Sequence, residues 1–131
     1  MRPFPILVAL LSWASAAAAE GALTGRQIYV ANCATCHGLQ AAGDGPMTAI
    51  LSVDVPDLRG LSAANGGVFP MLDVIAIIDG RNKLSGHGGP MPIFGYALGG
   101  ADQVLDGPDG SPVPVKGDIL AIARWLETQQ R

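Results

Sequence analysis

Cys33-Ala34-Thr35-Cys36-His37 is the stretch on which the reading of this sequence turns. Two thiols with two residues between them can form thioethers to the two vinyl groups of one haem. The histidine that follows is then placed under the iron as an axial ligand. Other chemistries also use a Cys-x-x-Cys pair. Half of a zinc site would need a second Cys/His pair, but the sequence holds no other cysteine, and its one other histidine is His87. A thioredoxin-type redox pair belongs beside a βαβ pattern, and the chain shows none. Attachment of one covalent haem c through Cys33 and Cys36 is the reading that needs nothing the sequence lacks.

The start of the chain points the same way. Arg2 precedes an apolar run from Phe4 to Trp13, and Ser15-Ala16-Ala17-Ala18-Ala19 follows with the small residues of a cleavage site. The run falls far short of the ~20 residues a spanning helix needs. The pattern predicts a signal peptide over residues 1–19, cleaved after Ala19, and a single domain over 20–131. An uncleaved membrane anchor is the competing reading, and the short run ending in alanines argues against it. Export to the periplasm agrees with the haem motif, because c-type haem is attached outside the cytoplasm. A disulfide between Cys33 and Cys36 would be permitted there, but it closes too small a loop to stabilise much.

The formal net charge is −3, with 8 Lys and Arg among 131 residues and no basic patch. Nucleic acid is therefore not an expected partner. An acidic, lysine-poor surface favours basic or apolar docking sites on redox protein partners. The acidic residues are scattered, no Ser/His/Asp set stands out and no phosphate loop is present, so the expectation is a protein that is not an enzyme.

Three helices are predicted, joined by long connections. The first begins near Thr24, a good N-cap, and carries Gly25, Ile28 and Tyr29 towards the cysteines. The second runs from about Pro70 to Asp79, with Pro70 in the first turn and Gly80 as a C-cap. The third runs from about Asp118, as its cap, to Gln130, with Ile119, Ile122, Trp125 and Leu126 on one stripe. Residues 38–69 and 81–117 show few regular signals. Connections this long are uncommon in a compact domain unless they serve a function, and a large prosthetic group would give them something to pack on. Within Val104–Val115, Asp106-Gly107-Pro108-Asp109-Gly110 is a turn signal that fits a small hairpin or a surface loop.

These residues together resemble the class I c-type cytochromes, of the exported bacterial monohaem kind, over nearly all of the chain after the signal peptide. The resemblance implies a small all-α fold, three main helices with long loops wrapped around one haem. It implies that Gly25 and Tyr29 on the first helix meet Ile122 and Trp125 on the last, with glycine allowing close approach and Tyr29 packing edge to face on Trp125. It implies that Pro46, in Gly43-Asp44-Gly45-Pro46, offers its carbonyl to the Nδ1 proton of His37.

The resemblance also implies that Met91, in Pro90-Met91-Pro92, is the second axial ligand. A thioether is a soft donor that suits ferrous iron, and Met/His ligation raises the reduction potential. Met47 and Met71 fit that place less well. His87 lies in the same loop, but Gly86, Gly88 and Gly89 leave it on backbone that is costly to order. The metal ligands expected are therefore His37 and Met91. Arg59 is a candidate partner for a haem propionate, equally readable as a solvated surface arginine; Arg81 and Tyr96 are weaker candidates. The implied function is one-electron transfer. A fixed electron-transfer subunit of a periplasmic dehydrogenase or reductase is compatible with this, and a gas-binding or peroxidatic haem protein is the rival.

Overall fold

A computed structural model describes residues 24–81 and 91–131. The expected signal peptide, Lys83, His87 and Pro90 lie outside the described residues.

Helix α1 spans Gly25–Asn32. Thr24 caps it in a reciprocal box: its Oγ accepts the Gln27 N–H, and Gln27 Oε1 accepts the Thr24 N–H at 2.8 Å. Cys33 separates α1 from the single turn α2, Ala34–His37, which Gly38 ends at φ +78°. The connection that follows holds more order than expected. It contains 3₁₀ turns at Pro46–Ala49 and Leu58–Gly60 and a short helix α3 at Leu61–Ala64. Turns this short have almost no periodicity for a sequence reading to find.

Helix α4, Met71–Asp79, ends at Gly80 in the left-handed conformation at φ +84°. Pro70 stands one position before the helix, as its cap residue. Strands β1 (Gln103–Asp106) and β2 (Pro112–Val115) form an antiparallel hairpin pairing Gln103 with Val115 and Asp106 with Pro112, which settles the open choice in that segment. Helix α5 covers Gly117–Thr128. Its cap residue is Lys116; Asp118 instead lies inside the first turn, where its carboxylate accepts the Gly99 N–H at 3.1 Å. Among the described residues the protein is thus mostly helical, with five helices, two more than the sequence predicts, and one small hairpin.

The core is built where α1 crosses α5, with α4 laid against α5. Tyr29, Ile75, Ile119 and Ile122 are the largest fully buried side chains, each contributing about 1.5–3 kcal/mol relative to exposure. At the crossing Gly25 is required: a Cβ there would run into the Ala121 carbonyl of α5. The Tyr29 and Trp125 rings meet with centroids 4.3 Å apart but tilted at 41°, intermediate between stacked and edge to face. The tilt has a local cause, because the Tyr29 hydroxyl is held by donating to the Gly38 carbonyl at 2.8 Å.

Candidate functional site

The short helix α2 turns Cys33, Cys36 and His37 towards one side of the α1–α5 core. Two cavities meet there, of about 90 and 250 Å³, and both are bordered by Cys33, His37 and Met91. The smaller is walled by apolar side chains of every main element: Tyr29 from α1, Leu61 from α3, Val74, Ile77 and Ile78 from α4, and Ile122 and Leu126 from α5. The larger adds Cys36, Met47, Leu51, Val55, Pro56, Pro92 and Phe94, with Asn32 and Asp54 as its polar rim. An apolar cleft with two thiols and an imidazole on one side and a thioether on its border has the donor set for a haem held covalently and ligated by nitrogen and sulfur.

The state of the side chains agrees with that fit. Burial, with Cys36 adding a smaller effect, pushes the Cys33 thiol up to about 11. It is a neutral thiol, whereas a thiol redox centre needs a stabilised thiolate. Burial lowers the pKa of His37, a smaller opposite effect coming from the Pro56 carbonyl. The imidazole is therefore neutral and able to ligate. Its Nδ1 is the one buried side-chain polar atom without a hydrogen-bond partner among the described residues. A ligating histidine needs a partner for both ring nitrogens, the metal being one of them, so a buried ring with an unpartnered nitrogen fits a group the protein has yet to bind.

The two other residues read as haem contacts are placed differently. Pro46 is exposed, borders neither cavity and opens a 3₁₀ turn. The neighbouring Gly45 is pressed against the Thr35 and Cys36 carbonyls, which fixes Pro46 on the far side of α2. The carbonyl that acts on His37 is that of Pro56. Arg59 also borders neither cavity. Its guanidinium grips Asp57 in a two-pronged pair, Nε to Oδ1 at 2.8 Å and Nη2 to Oδ2 at 2.7 Å, so a carboxylate already satisfies it. Arg81 pairs with Asp79, and Tyr96 is 97% exposed.

Sequence reasoning missed Pro56, which borders the larger cavity with His37, and it missed the contacts that fasten the segment after Met91. The Phe94 N–H donates to Ile78 at the end of α4, and Lys116 Nζ donates to the Gly95 and Leu98 carbonyls. No periodic signal marks such contacts; Gly80, whose Cα lies against Ile93, was the one available clue that the methionine loop returns to α4.

Among the described residues no helix is long and apolar enough to cross a membrane. No curated protein and no solved structure matches the chain closely enough to report. The sequence model of the family described as Cytochrome c matches residues 22–102, from α1 through the motif to the methionine loop. With the thiols, the imidazole and the thioether gathered on one apolar cleft, this chain belongs to the cytochrome c family, haem-based electron-transfer proteins.

Proposed function

We propose that the protein is an exported one-electron carrier of the class I, monohaem type, with His37 and Met91 as axial ligands. The observation that supports this is the shared border of Cys33, His37 and Met91 on both cavities. Haem bound through Cys33 and Cys36 supplies one-electron chemistry at its iron. The chain's own residues do the rest. Cys33 and Cys36 fix the group to α2. His37, kept neutral by burial, ligates through its imidazole. Met91 favours the reduced state, and the apolar walls exclude water from the iron. Partners are redox proteins that present basic or apolar surface to an acidic carrier, and the sequence of residues 1–19 supports a periplasmic address.

The test uses protein expressed with haem-attachment machinery. Its mass should equal the 20–131 polypeptide plus one haem. Met91→Ala should lower the reduction potential and abolish the weak near-infrared sulfur-to-iron band of the ferric protein, while His87→Ala leaves both nearly unchanged. The reverse pattern would make His87 the ligand.

A further inference from the structure

We infer that Lys116 is a positioning residue: it fastens the turn that follows Met91 to the start of α5, and so governs how readily that segment leaves the haem cleft. The inference rests on the reading of Met91 as an axial ligand.

Residues 91–98 contain no helix or strand, only one hydrogen-bonded turn. The Leu98 and Ala97 N–H groups donate to the Phe94 carbonyl at 2.9 and 3.0 Å. A single turn leaves its later carbonyls without partners of its own. Lys116 Nζ donates to two of them, the Gly95 carbonyl and, at 3.3 Å, the Leu98 carbonyl. No other donor reaches either oxygen among the described residues. An ammonium suits the place, having three donors and no acceptor to satisfy, and a charged donor makes the stronger hydrogen bond.

The backbone that carries this side chain is itself fixed. Lys116 stands between β2 and α5, with Val115 before it and Ile119 after it, 3% and 1% exposed. Two residues on, Asp118 exchanges hydrogen bonds with Gly99: its N–H donates to the Gly99 carbonyl and its carboxylate accepts the Gly99 N–H, each at 3.1 Å.

The other side of the turn lies on the end of α4. The Phe94 N–H donates to the Ile78 carbonyl at 2.9 Å, Ile93 fills the space a Cβ on Gly80 would need, and a Cβ on Gly95 would meet the Asp79 carbonyl. The chain from Ile93 to Gly99 is therefore held between α4 and α5. Met91 is joined to it through Pro92 alone, whose ring fixes its φ, and Met91, Pro92 and Phe94 all border the larger cavity. On the α4 side the hold is backbone and glycine fit. On the α5 side one side chain holds the carbonyls of the turn, so a substitution at 116 opens that side.

An added ligand reaches ferric iron only in the fraction of molecules whose Met91 has moved away, so its apparent affinity reports that fraction. The probe is imidazole, titrated into the ferric holo forms of Lys116→Met, Lys116→Gln, Lys116→Arg and the unaltered protein. Lys116→Met keeps the aliphatic length and removes the donors. Lys116→Gln, polar and one atom shorter, is the second variant. Hydrogen exchange of the Leu98 and Ala97 amides in the ferrous holo protein is the second readout. Thr24→Ala, which removes the cap of α1, is the control for general destabilisation.

Lys116→Met should raise imidazole affinity and speed exchange of both amides roughly tenfold, the scale of one hydrogen bond to a charged group. Lys116→Gln should shift both in the same direction, and Lys116→Arg should restore most of the unaltered behaviour. Thr24→Ala should lower the melting temperature and move neither readout. A melting temperature that falls in Lys116→Met and Lys116→Gln while imidazole affinity stays fixed would reduce Lys116 to a purely structural contact and overturn the inference. Imidazole affinity unchanged in Met91→Ala would overturn the reading of Met91 as a ligand, a failure distinguishable from the first because position 116 plays no part in it.

Discussion

Asp57 accepts from the Arg59 N–H, Nε and Nη2 and from Arg131 Nη2. The Arg59 hydrogen bonds, with smaller help from the charge of Arg131, hold its carboxyl well below the usual carboxylate range. A carboxyl whose pKa is lower folded than unfolded contributes stability that is present above the unfolded value, about 4. That contribution is lost as the pH falls through the folded value. The charges facing Asp57 are Arg59 and Arg131, and Asp44 acts on Arg59 from further away. The expected outcome is a melting temperature that declines below about pH 4 and a shallower decline for Asp57→Asn. Near neutrality the variant should lose little, because the pair faces solvent. Thermal melts across the acid range check this; equal slopes for the two proteins would remove Asp57 from the account.

At the scale of elements, the α1–α5 crossing is the contact most sensitive to a single atom. The obstacle at Gly25 is the backbone carbonyl of Ala121, which cannot swing aside as a long side chain would. Gly25→Ala should therefore cost about 1–3 kcal/mol of stability, although alanine elsewhere in a helix gains up to about 1 kcal/mol over glycine. Gly60 is the comparison: nothing lies within 4 Å of its added Cβ, and its φ is −101°. Gly60→Ala should be neutral or slightly stabilising in chemical denaturation of the same holo protein. The two substitutions are identical on paper, and the helix crossing alone separates them.

At the scale of the whole molecule, the cleft lies among the structural elements. The residues that wall it, Tyr29, Val74, Ile78, Ile122 and Leu126, are also residues of the core, so haem and core are one packing problem. A group bound only by the folded state stabilises that state, and an unfilled apolar cleft forfeits the contacts of its lining. Cys33→Ala/Cys36→Ala protein made without haem should lose its helix signal gradually on heating. The holo protein should show one cooperative transition in circular dichroism. A cooperative transition of the haem-free form at the holo temperature would show that the polypeptide core suffices.

The sequence by itself determined the motif, the three long helices and the glycine at their crossing. Each of these is written in local spacing, in a chemical identity or in a resemblance carried by a few residues. What it left open was decided by contacts between residues far apart in the chain. Pro56, and not the nearer Pro46, borders the cleft with His37, while Gly45 packs on α2 and Pro46 stays exposed. Arg59 was available for a propionate by charge alone, and the fold gave it Asp57. Asp118 had the chemistry of a cap, but α5 begins earlier and its carboxylate holds Gly99. The physical reason is the same each time. Periodicity and motif spacing report on a residue's neighbours in sequence, whereas a carbonyl or a guanidinium is satisfied by whichever group the tertiary structure brings within hydrogen-bond reach.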